Sequence, residues 1–257
     1  MGIKILKRAY MAFIYAFLYV PIVVLVVLSF NQSKFSTHWA GFTTGWYGKL
    51  LHNDLLLDAA KNSLLVALSS ATLASALGVL GAFALYRYRF LGKRMLYGLL
   101  YVLMISPDVV MGISLLILFT AVRLPLGYLS LLLAHVTLCL PFVTVVVYSR
   151  LSQLSPHILE AARDLGASEY AALRLVILPL IAPAVLAGWL LSFTLSLDDV
   201  IISFFVTGPS FEILPLRIYS MVRLGVKPEV NALCTVIFAA SLALVTASQL
   251  LLKEEHS

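Results

Sequence analysis

Six long stretches of almost uninterrupted apolar residues dominate this chain of 257 residues. Each is long enough to cross the hydrocarbon core of a bilayer as a helix, which takes roughly 20 residues. They cover residues 9–30, 63–86, 95–121, 126–149, 177–205 and 231–252. With 61% hydrophobic and only 12% charged residues, the chain has more apolar surface than one water-soluble core can bury. The sequence therefore predicts an all-α polytopic membrane protein with six transmembrane helices, which form a single domain over residues 1–257.

The basic residues predict how these helices are oriented. If the six spans are correct, eleven Lys and Arg residues lie on the side that holds both termini and seven lie on the other side. Because cytoplasmic loops carry the excess of basic residues, both termini are predicted to be cytoplasmic. The first apolar run is longer than the core of a signal peptide and lacks a small-residue cleavage pattern. We therefore expect it to stay in place as an uncleaved first span.

The loop between the fourth and fifth spans, residues 150–176, has the pattern of two short helices joined by a turn. Ser155 is typical of a helix start, and Gly166 suits a left-handed turn at a helix end. Ser168 then caps a second helix. The cadence also resembles a DNA-binding helix-turn-helix, but the stretch from Glu160 to Arg174 carries three carboxylates against two arginines and is tied to the membrane at both ends. We therefore expect no binding of nucleic acid.

The same loop carries a motif that identifies a family. The tripeptide Glu-Ala-Ala at 160–162 is followed after three residues by Gly166, and after nine more by Val-Ile-Leu-Pro at 176–179. This spacing resembles the EAA signature of bacterial ABC importer permeases, E-A-A-x3-G-x9-I-x-L-P, with valine in place of its isoleucine. The resemblance implies a type I ABC importer permease fold, in which this loop couples to a cytoplasmic ATPase. Its implied coupling residues are Glu160, Ala161, Ala162, Gly166 and Glu169.

Further segments resemble the polyamine branch of these permeases, the spermidine/putrescine (PotC-type) family. They lie at residues 29–33, 41–47, 196–209, 213–220 and 228–233. The resemblance implies a multi-pass subunit of a bacterial inner membrane that takes up spermidine or putrescine into the cytoplasm. The partners that it implies are a second permease subunit, two ATPase subunits and a periplasmic polyamine-binding protein. ATP and Mg would be used by the partner ATPase, and we expect this chain to bind no cofactor.

Three aspartates inside the predicted spans indicate a cationic substrate without reference to any family. Asp108 lies in the third span and Asp198 and Asp199 in the fifth, while no Lys or Arg lies deep in any span. An ionised side chain at the bilayer centre costs about 2.5–3.5 kcal/mol, so three of one sign require an external cation. A polyamine is one such cation, and protons and metal ions are others. Alternatively, these aspartates cap helix breaks or pair with an arginine of a partner subunit.

The position of Asp108 and two other residues, Ser196 and Trp46, complete this prediction. Asp108 follows Pro107 about 18 Å along the third span, near the midplane, where broken helices build binding sites. Ser196 in the fifth span and Trp46 in an aromatic-rich first outer loop complete the predicted substrate path. The alternative for these aromatic residues is a belt at the membrane interface. His135 is expected to be a hydrogen-bonded packing residue rather than a metal ligand, because no second His or Cys accompanies it at ligand spacing.

Two other kinds of function compete with a polyamine permease. The chain lacks the phosphate-binding motif G-x-x-x-x-G-K-[ST], so we expect a transport permease and not an enzyme, with energy supplied by a separate subunit. Aspartates on two spans could instead form the catalytic pair of an intramembrane aspartyl protease. The Gly-x-Gly-Asp element of that family is absent, because no glycine stands among the four residues before Asp108. The other alternative is a permease for a different small solute, either another cation or an anion such as thiosulfate.

Overall fold

The computed structural model of the chain describes residues 2–33, 38–155, 157–223, 228–239 and 242. The regular elements in this part of the chain are all helices. They are α1 (Gly2–Leu28), α2 (Gly45–Leu51), α3 (Asp54–Arg87), α4 (Lys93–Ile105), α5 (Asp108–Ala121), α6 (Tyr128–Ser152), α7 (His157–Asp164), α8 (Glu169–Ala171), α9 (Leu178–Asp198), α10 (Ile201–Val206), α11 (Leu214–Arg223) and α12 (Pro228–Ala239). The chain forms two compact units: a smaller one, Met1–Leu57 with Arg217–Ser257, and a larger one, Asp58–Leu216.

Among the described residues, four helices have the length and apolarity of a membrane span. They are Leu6–Leu28, Asp54–Arg87, Tyr128–Ser152 and Glu169–Asp198. The pair α4 and α5 would count as a fifth span only if taken together, because a bend of 111° separates its two halves. The predicted first, second and fourth spans are thus confirmed as long apolar helices. The predicted sixth span lies largely outside the described residues, and α12 covers only its beginning.

The prediction of one continuous helix over residues 95–121 is wrong. The helix ends at Ile105, Ser106 and Pro107 are extended, and a new helix begins at Asp108. The physical reason is the proline, which has no backbone N–H and disfavours helical backbone in the residue before it. The depth of Asp108 therefore does not follow from the rise along a single helix axis.

The predicted fifth span, residues 177–205, also differs from the structure at both ends. Its helix begins earlier, at Glu169, and runs through a π-helical turn, Ala172–Ile177, directly into α9. The wider turn precedes Pro179, whose ring would otherwise clash with the carbonyl one turn earlier. At the other end, α9 stops at Asp198 and α10 resumes the helix after a two-residue interruption.

The larger unit is built around α6, which packs against α9 along much of its length. Val143 of α6 lies between two glycines. A Cβ atom added to Gly78 of α3 would lie 2.8 Å from the Cγ1 atom of Val143, and one added to Gly188 of α9 would lie 3.3 Å from the same atom. Small residues let membrane helices approach closely, so α3 and α9 both lie directly against α6. Gly112 similarly lets α5 pack onto α10, which brings the two helix interruptions next to each other.

The smaller unit is organised by the loop that follows α1. Asn31 is fully buried; its side-chain amide donates to the carbonyl of His38 at 2.7 Å and its side-chain oxygen accepts from the N–H of Ala40 at 2.9 Å. The indole N–H of Trp46 donates to the backbone carbonyl of Asn31 at 2.8 Å. The apolar stretch of α1 buries none of its side chains, which is typical of a helix that faces lipid or another subunit.

Candidate functional site

A cavity of about 340 Å³ lies beside the two helix interruptions of the larger unit. Asp108, Asp198 and Asp199 all lie in its wall, so the fold brings together carboxylates that are far apart in sequence. The rest of the wall is mostly apolar and consists of Leu103, Met104, Ser106, Leu138, Phe142, Leu195, Val200 and Ile201. The volume is at the lower end of the range for small-molecule sites. The site therefore combines negative charge with an apolar surface.

Two of the three aspartates present free carboxylates. Asp108 is in the first turn of α5 and Asp198 is the last residue of α9, and both are exposed. Within the part of the chain that the structure describes, neither carboxylate has a hydrogen bond or an ion pair. Asp198 also lies at the negative end of the α9 dipole, which deepens the negative potential there. These two carboxylates are placed to bind a cation.

Asp199 has different surroundings, and only 6% of its side chain is exposed. Its Oδ2 atom accepts from the backbone N–H of Ser203 at 2.8 Å and from the hydroxyl of Ser203 at 2.7 Å. Its Oδ1 atom accepts from the N–H of Ile202 at 3.2 Å. Asp199 thus caps the start of α10, which is the alternative that the sequence left open for these aspartates.

A buried polar network lies behind the cavity wall. The imidazole of His135 is fully buried, with Nδ1 at 2.6 Å from Ser196 Oγ and Nε2 at 2.9 Å from Ser203 Oγ. Nε2 is also 3.5 Å from Oδ2 of Asp199, and the hydroxyl of Ser70 donates to Ser196 Oγ at 3.1 Å. These five residues are called the His135 network below. The prediction that His135 is a hydrogen-bonded packing residue is confirmed, and Ser196 belongs to this network rather than to the cavity wall.

Trp46 lies in the smaller unit, where it is almost fully buried. The Nζ atom of Lys49 lies 4.3 Å from the centroid of its ring, so the chain's own ammonium group already covers one face of the indole. Trp39 and Phe42 in the same loop are exposed, as residues of an interfacial belt would be.

The loop after α6 has the predicted helix–turn–helix form. α7 ends at Asp164, and Gly166 has a φ of +81°, in the left-handed region that glycine occupies without strain. The N–H of Ala167 donates to the carbonyl of Ala162 at 3.0 Å and closes the turn. The hydroxyl of Ser168 then accepts from a backbone N–H of the next helix at 3.2 Å. Local sequence signals alone were sufficient to predict this segment.

The predicted coupling residues of this loop do not form one uniform surface. Glu160 and Ala161 are exposed, whereas Ala162 is buried. A Cβ atom added to Gly166 would meet nothing within 4 Å, so its surroundings are open. Leu165 beside it is 89% exposed.

Glu169 faces a different part of the chain. The hydroxyl of Tyr88 donates to its Oε2 atom at 2.6 Å, and the guanidinium of Arg87 lies 3.7 Å from Oε1. Both partners stand at the end of α3. Glu169 therefore ties the coupling loop to the α3 end instead of standing free on the surface.

Sequence reasoning missed eight of the eleven residues of the cavity wall, and two of these, Ser106 and Phe142, add a polar and an aromatic side chain. The signals that could have identified them are the Ser-Pro step where α4 ends and the Pro141-Phe142 pair inside α6. An aromatic ring beside two carboxylates adds a face that attracts ammonium groups.

Comparison with known proteins identifies the family of the chain. Residues 58–254 match the binding-protein-dependent transport system inner membrane components. The spermidine/putrescine transport system permease protein PotC of Escherichia coli K12 is 58% identical over 252 residues, which cover 98% of this chain and 96% of that protein. Its counterpart in Haemophilus influenzae is 55% identical, covering 98% of each chain. A bacterial ABC transporter that imports alginate has the same fold, with a TM-score of 0.78 at 19% identity over 96% of this chain and 95% of that one. The chain therefore belongs to the binding-protein-dependent inner-membrane transport components, as a PotC-type permease: it is a multi-pass transport protein of the inner membrane and not a protease or another enzyme.

Proposed function

We propose that this chain is one permease subunit of an ATP-driven importer that carries spermidine or putrescine into the cytoplasm. The observation that carries the proposal is the cavity, in which the free carboxylates of Asp108 and Asp198 face a largely apolar wall. A polyamine matches both features, because its methylene groups pack against apolar side chains while its ammonium groups pair with carboxylates. The two PotC relatives are permease proteins of spermidine/putrescine transport systems, which agrees with this substrate class.

The same cavity disfavours the competing solutes. A compact hydrated metal ion would gain nothing from the apolar wall, since its hydration shell prefers oxygen ligands. An anion such as thiosulfate would be repelled by three carboxylates that have no Lys or Arg beside them in the cavity wall. Only a cation with an apolar body gains binding energy from both the carboxylates and the apolar side chains of the wall.

The predicted path residues receive different roles in this proposal. Asp108 and Asp198 pair directly with ammonium groups during passage. Asp199 adds negative potential to the wall while its oxygens cap α10, and Ser196 supports it from the His135 network. Trp46 stabilises the outer loop through Asn31 and stays a proposed contact on the way to the cavity.

The coupling loop completes the transport cycle in this proposal. Glu160, Ala161, Ala162 and Gly166 dock onto the ATPase, and Glu169 passes movement of the loop to the end of α3 through Tyr88. The full importer would contain this chain, a second permease, two ATPase subunits that use ATP and Mg, and a periplasmic polyamine-binding protein. The chain itself would form one six-span domain over residues 1–257, with both termini in the cytoplasm of a bacterial cell.

Uptake of radiolabelled spermidine by the complex reconstituted in liposomes tests the proposal. We expect saturable, ATP-dependent uptake that putrescine competes with and thiosulfate does not. Asp198→Asn should raise the KM for spermidine roughly tenfold, since it removes a charged partner worth about 1.5–3 kcal/mol. Asp58→Asn is the matched control, because that carboxylate is 66% exposed and, among the residues that the structure describes, pairs only with Lys61 at 3.2 Å. Uptake of thiosulfate, or an unchanged KM in the Asp198 variant, would contradict the proposal.

A second experiment separates a permease from a self-sufficient enzyme. The chain lacks a phosphate-binding loop, so the purified single chain should show neither ATP hydrolysis nor transport. Both activities should appear only when the partner subunits are added. Robust ATPase activity in the chain alone would exclude the permease function.

A further inference from the structure

The His135 network joins four helices inside the larger unit. Ser70 lies on α3, His135 on α6, Ser196 on α9 and Ser203 on α10, and Asp199 lies in the interruption between the last two helices. The serines and His135 are buried, and the side chain of Asp199 is 6% exposed. Polar groups in such surroundings are costly unless every donor meets an acceptor. Each of the five side chains of this network has a hydrogen-bond partner within it.

The hydroxyl groups determine the direction of the hydrogen bonds. Ser203 uses its single O–H hydrogen on Oδ2 of Asp199, so its oxygen must accept from Nε2–H of His135. On the other side of the ring, Nδ1 lies 2.6 Å from Ser196 Oγ, and that oxygen accepts from the hydroxyl of Ser70. These contacts form a continuous chain of hydrogen bonds. The chain starts at Ser70 and ends on the carboxylate of Asp199.

The end of this chain is the point where the helix is interrupted. The backbone of Asp199 is extended, with a φ of −68° and a ψ of 124°, and its side chain caps α10. Without the imidazole, the hydroxyl of Ser203 is free to turn to a carbonyl of its own helix, as serine hydroxyls commonly do. Asp199 then loses its shortest hydrogen bond, and its side chain no longer holds the interruption in place. If the interruption relaxes towards helix, every added helical residue rotates its neighbours by about 100°.

We propose that His135 is a positioning residue of the substrate path, which holds the interruption between α9 and α10 through Ser203 and Asp199 and thereby keeps the Asp198 carboxylate directed into the cavity. The inference rests on the proposed function, in which Asp198 pairs with the transported cation. It assigns to His135 no contact with the substrate, since the imidazole lies behind the cavity wall and is fully buried.

A double-mutant cycle on spermidine uptake by the reconstituted complex tests the inference. His135→Leu should lower kcat/KM roughly tenfold in the native background, the effect of losing about one charge-assisted hydrogen bond. In the Asp198→Asn background the same change should have less than about a twofold effect, because the group that it positions is already neutral. Equal losses in both backgrounds, or no loss in the native one, would show that His135 does not act through Asp198.

Two further variants control for general damage to the fold. His135→Gln keeps an amide donor at about the reach of Nε2 and should restore most of the uptake that His135→Leu loses. Thr144→Val removes a buried hydroxyl from the same helix, and within the described part of the chain that hydroxyl bonds only the carbonyl of Leu140, at 2.7 Å. It should leave uptake unchanged. If Thr144→Val loses as much uptake as His135→Leu, the loss comes from disturbed packing in general, and the inference is overturned.

Thiol labelling gives a readout that needs no transport. In a Cys139→Ala, Cys234→Ala background, Asp198→Cys should react readily with 2-(trimethylammonium)ethyl methanethiosulfonate, a cationic thiol reagent. Adding His135→Leu should slow this reaction roughly threefold or more, and His135→Gln should slow it less. An unchanged rate would overturn the inference even if spermidine uptake proceeds as proposed. If the complex carries no polyamine, the proposed function fails, and the labelling rate still decides whether His135 positions residue 198.

Discussion

Asp198 and Asp199 are adjacent, yet neutralising them should affect the protein in different ways. The carboxylate of Asp198 has no partner among the described residues, so Asp198→Asn removes charge from the cavity and no internal hydrogen bond. Asp199→Asn places an amide group where two oxygens now accept three hydrogens. We therefore expect the first variant to lose transport with full stability, and the second to lose both.

The size of the stability loss follows from the bonds of Asp199. An asparagine can keep its oxygen at the Oδ2 position, so its nitrogen then faces the N–H of Ile202, and that hydrogen bond is lost. A hydrogen bond to a charged acceptor is worth about 1.5–3 kcal/mol, and a charge at a helix start adds about 0.3–1 kcal/mol. Relief from burying a charge offsets part of this sum. A net loss of about 2 kcal/mol corresponds to a Tm roughly 4–8 °C lower.

The assay combines thermal stability with transport. Each variant complex is purified in detergent, its Tm is measured by size-exclusion chromatography of heated samples, and its spermidine uptake is measured in liposomes. Asp198→Asn should match the native Tm and lose uptake, while Asp199→Asn should show the lower Tm. Equal Tm values for the two variants would refute the capping role of Asp199. Failure of both variants to assemble would instead favour pairing with an arginine of the partner subunit, since breaking such a pair costs roughly 3–5 kcal/mol.

Three further predictions concern the rest of the molecule. Gly166→Val should weaken binding of the ATPase and leave the helices intact, because a β-branched residue resists a φ of +81°; co-purification of the ATPase at the normal yield would contradict this. Gly78→Ala should destabilise the chain by about 1–3 kcal/mol, because the added Cβ atom would lie 2.8 Å from Val143. Gly98→Ala is the control and should not destabilise it, because an added Cβ atom there meets nothing within 4 Å. Tm values in detergent that fall equally for both variants would exclude the packing argument. Tyr88→Phe removes a 2.6 Å hydrogen bond to the coupling loop and should lower uptake about two- to fivefold while binding of the ATPase persists; unchanged uptake would mean that this contact transmits nothing.

Much of the fold could be predicted from the sequence because the signals are local. Long apolar runs must leave water, so they predict the helices of the membrane domain. Two of those helices have nearly the predicted bounds, and a third begins at Asp54 instead of residue 63. Capping residues and Gly166 predict the turn of the coupling loop, because each acts on the backbone within one helical turn. Aspartates in apolar runs indicate a cation for the same reason: their cost in lipid does not depend on the fold.

The tertiary structure decided everything that depends on contacts between distant residues. Pro107 marks a break in the sequence, but the 111° bend at that break is set by the packing of α5 against α10. Asp198 and Asp199 look equivalent as a sequence pair. Only the fold leaves the carboxylate of Asp198 free in the cavity wall and uses that of Asp199 to cap α10. His135 is a lone polar residue in an apolar run until α3, α9 and α10 bring serines and a carboxylate to it. Hydropathy acts along the chain, whereas hydrogen bonds between helices exist only after the helices have packed.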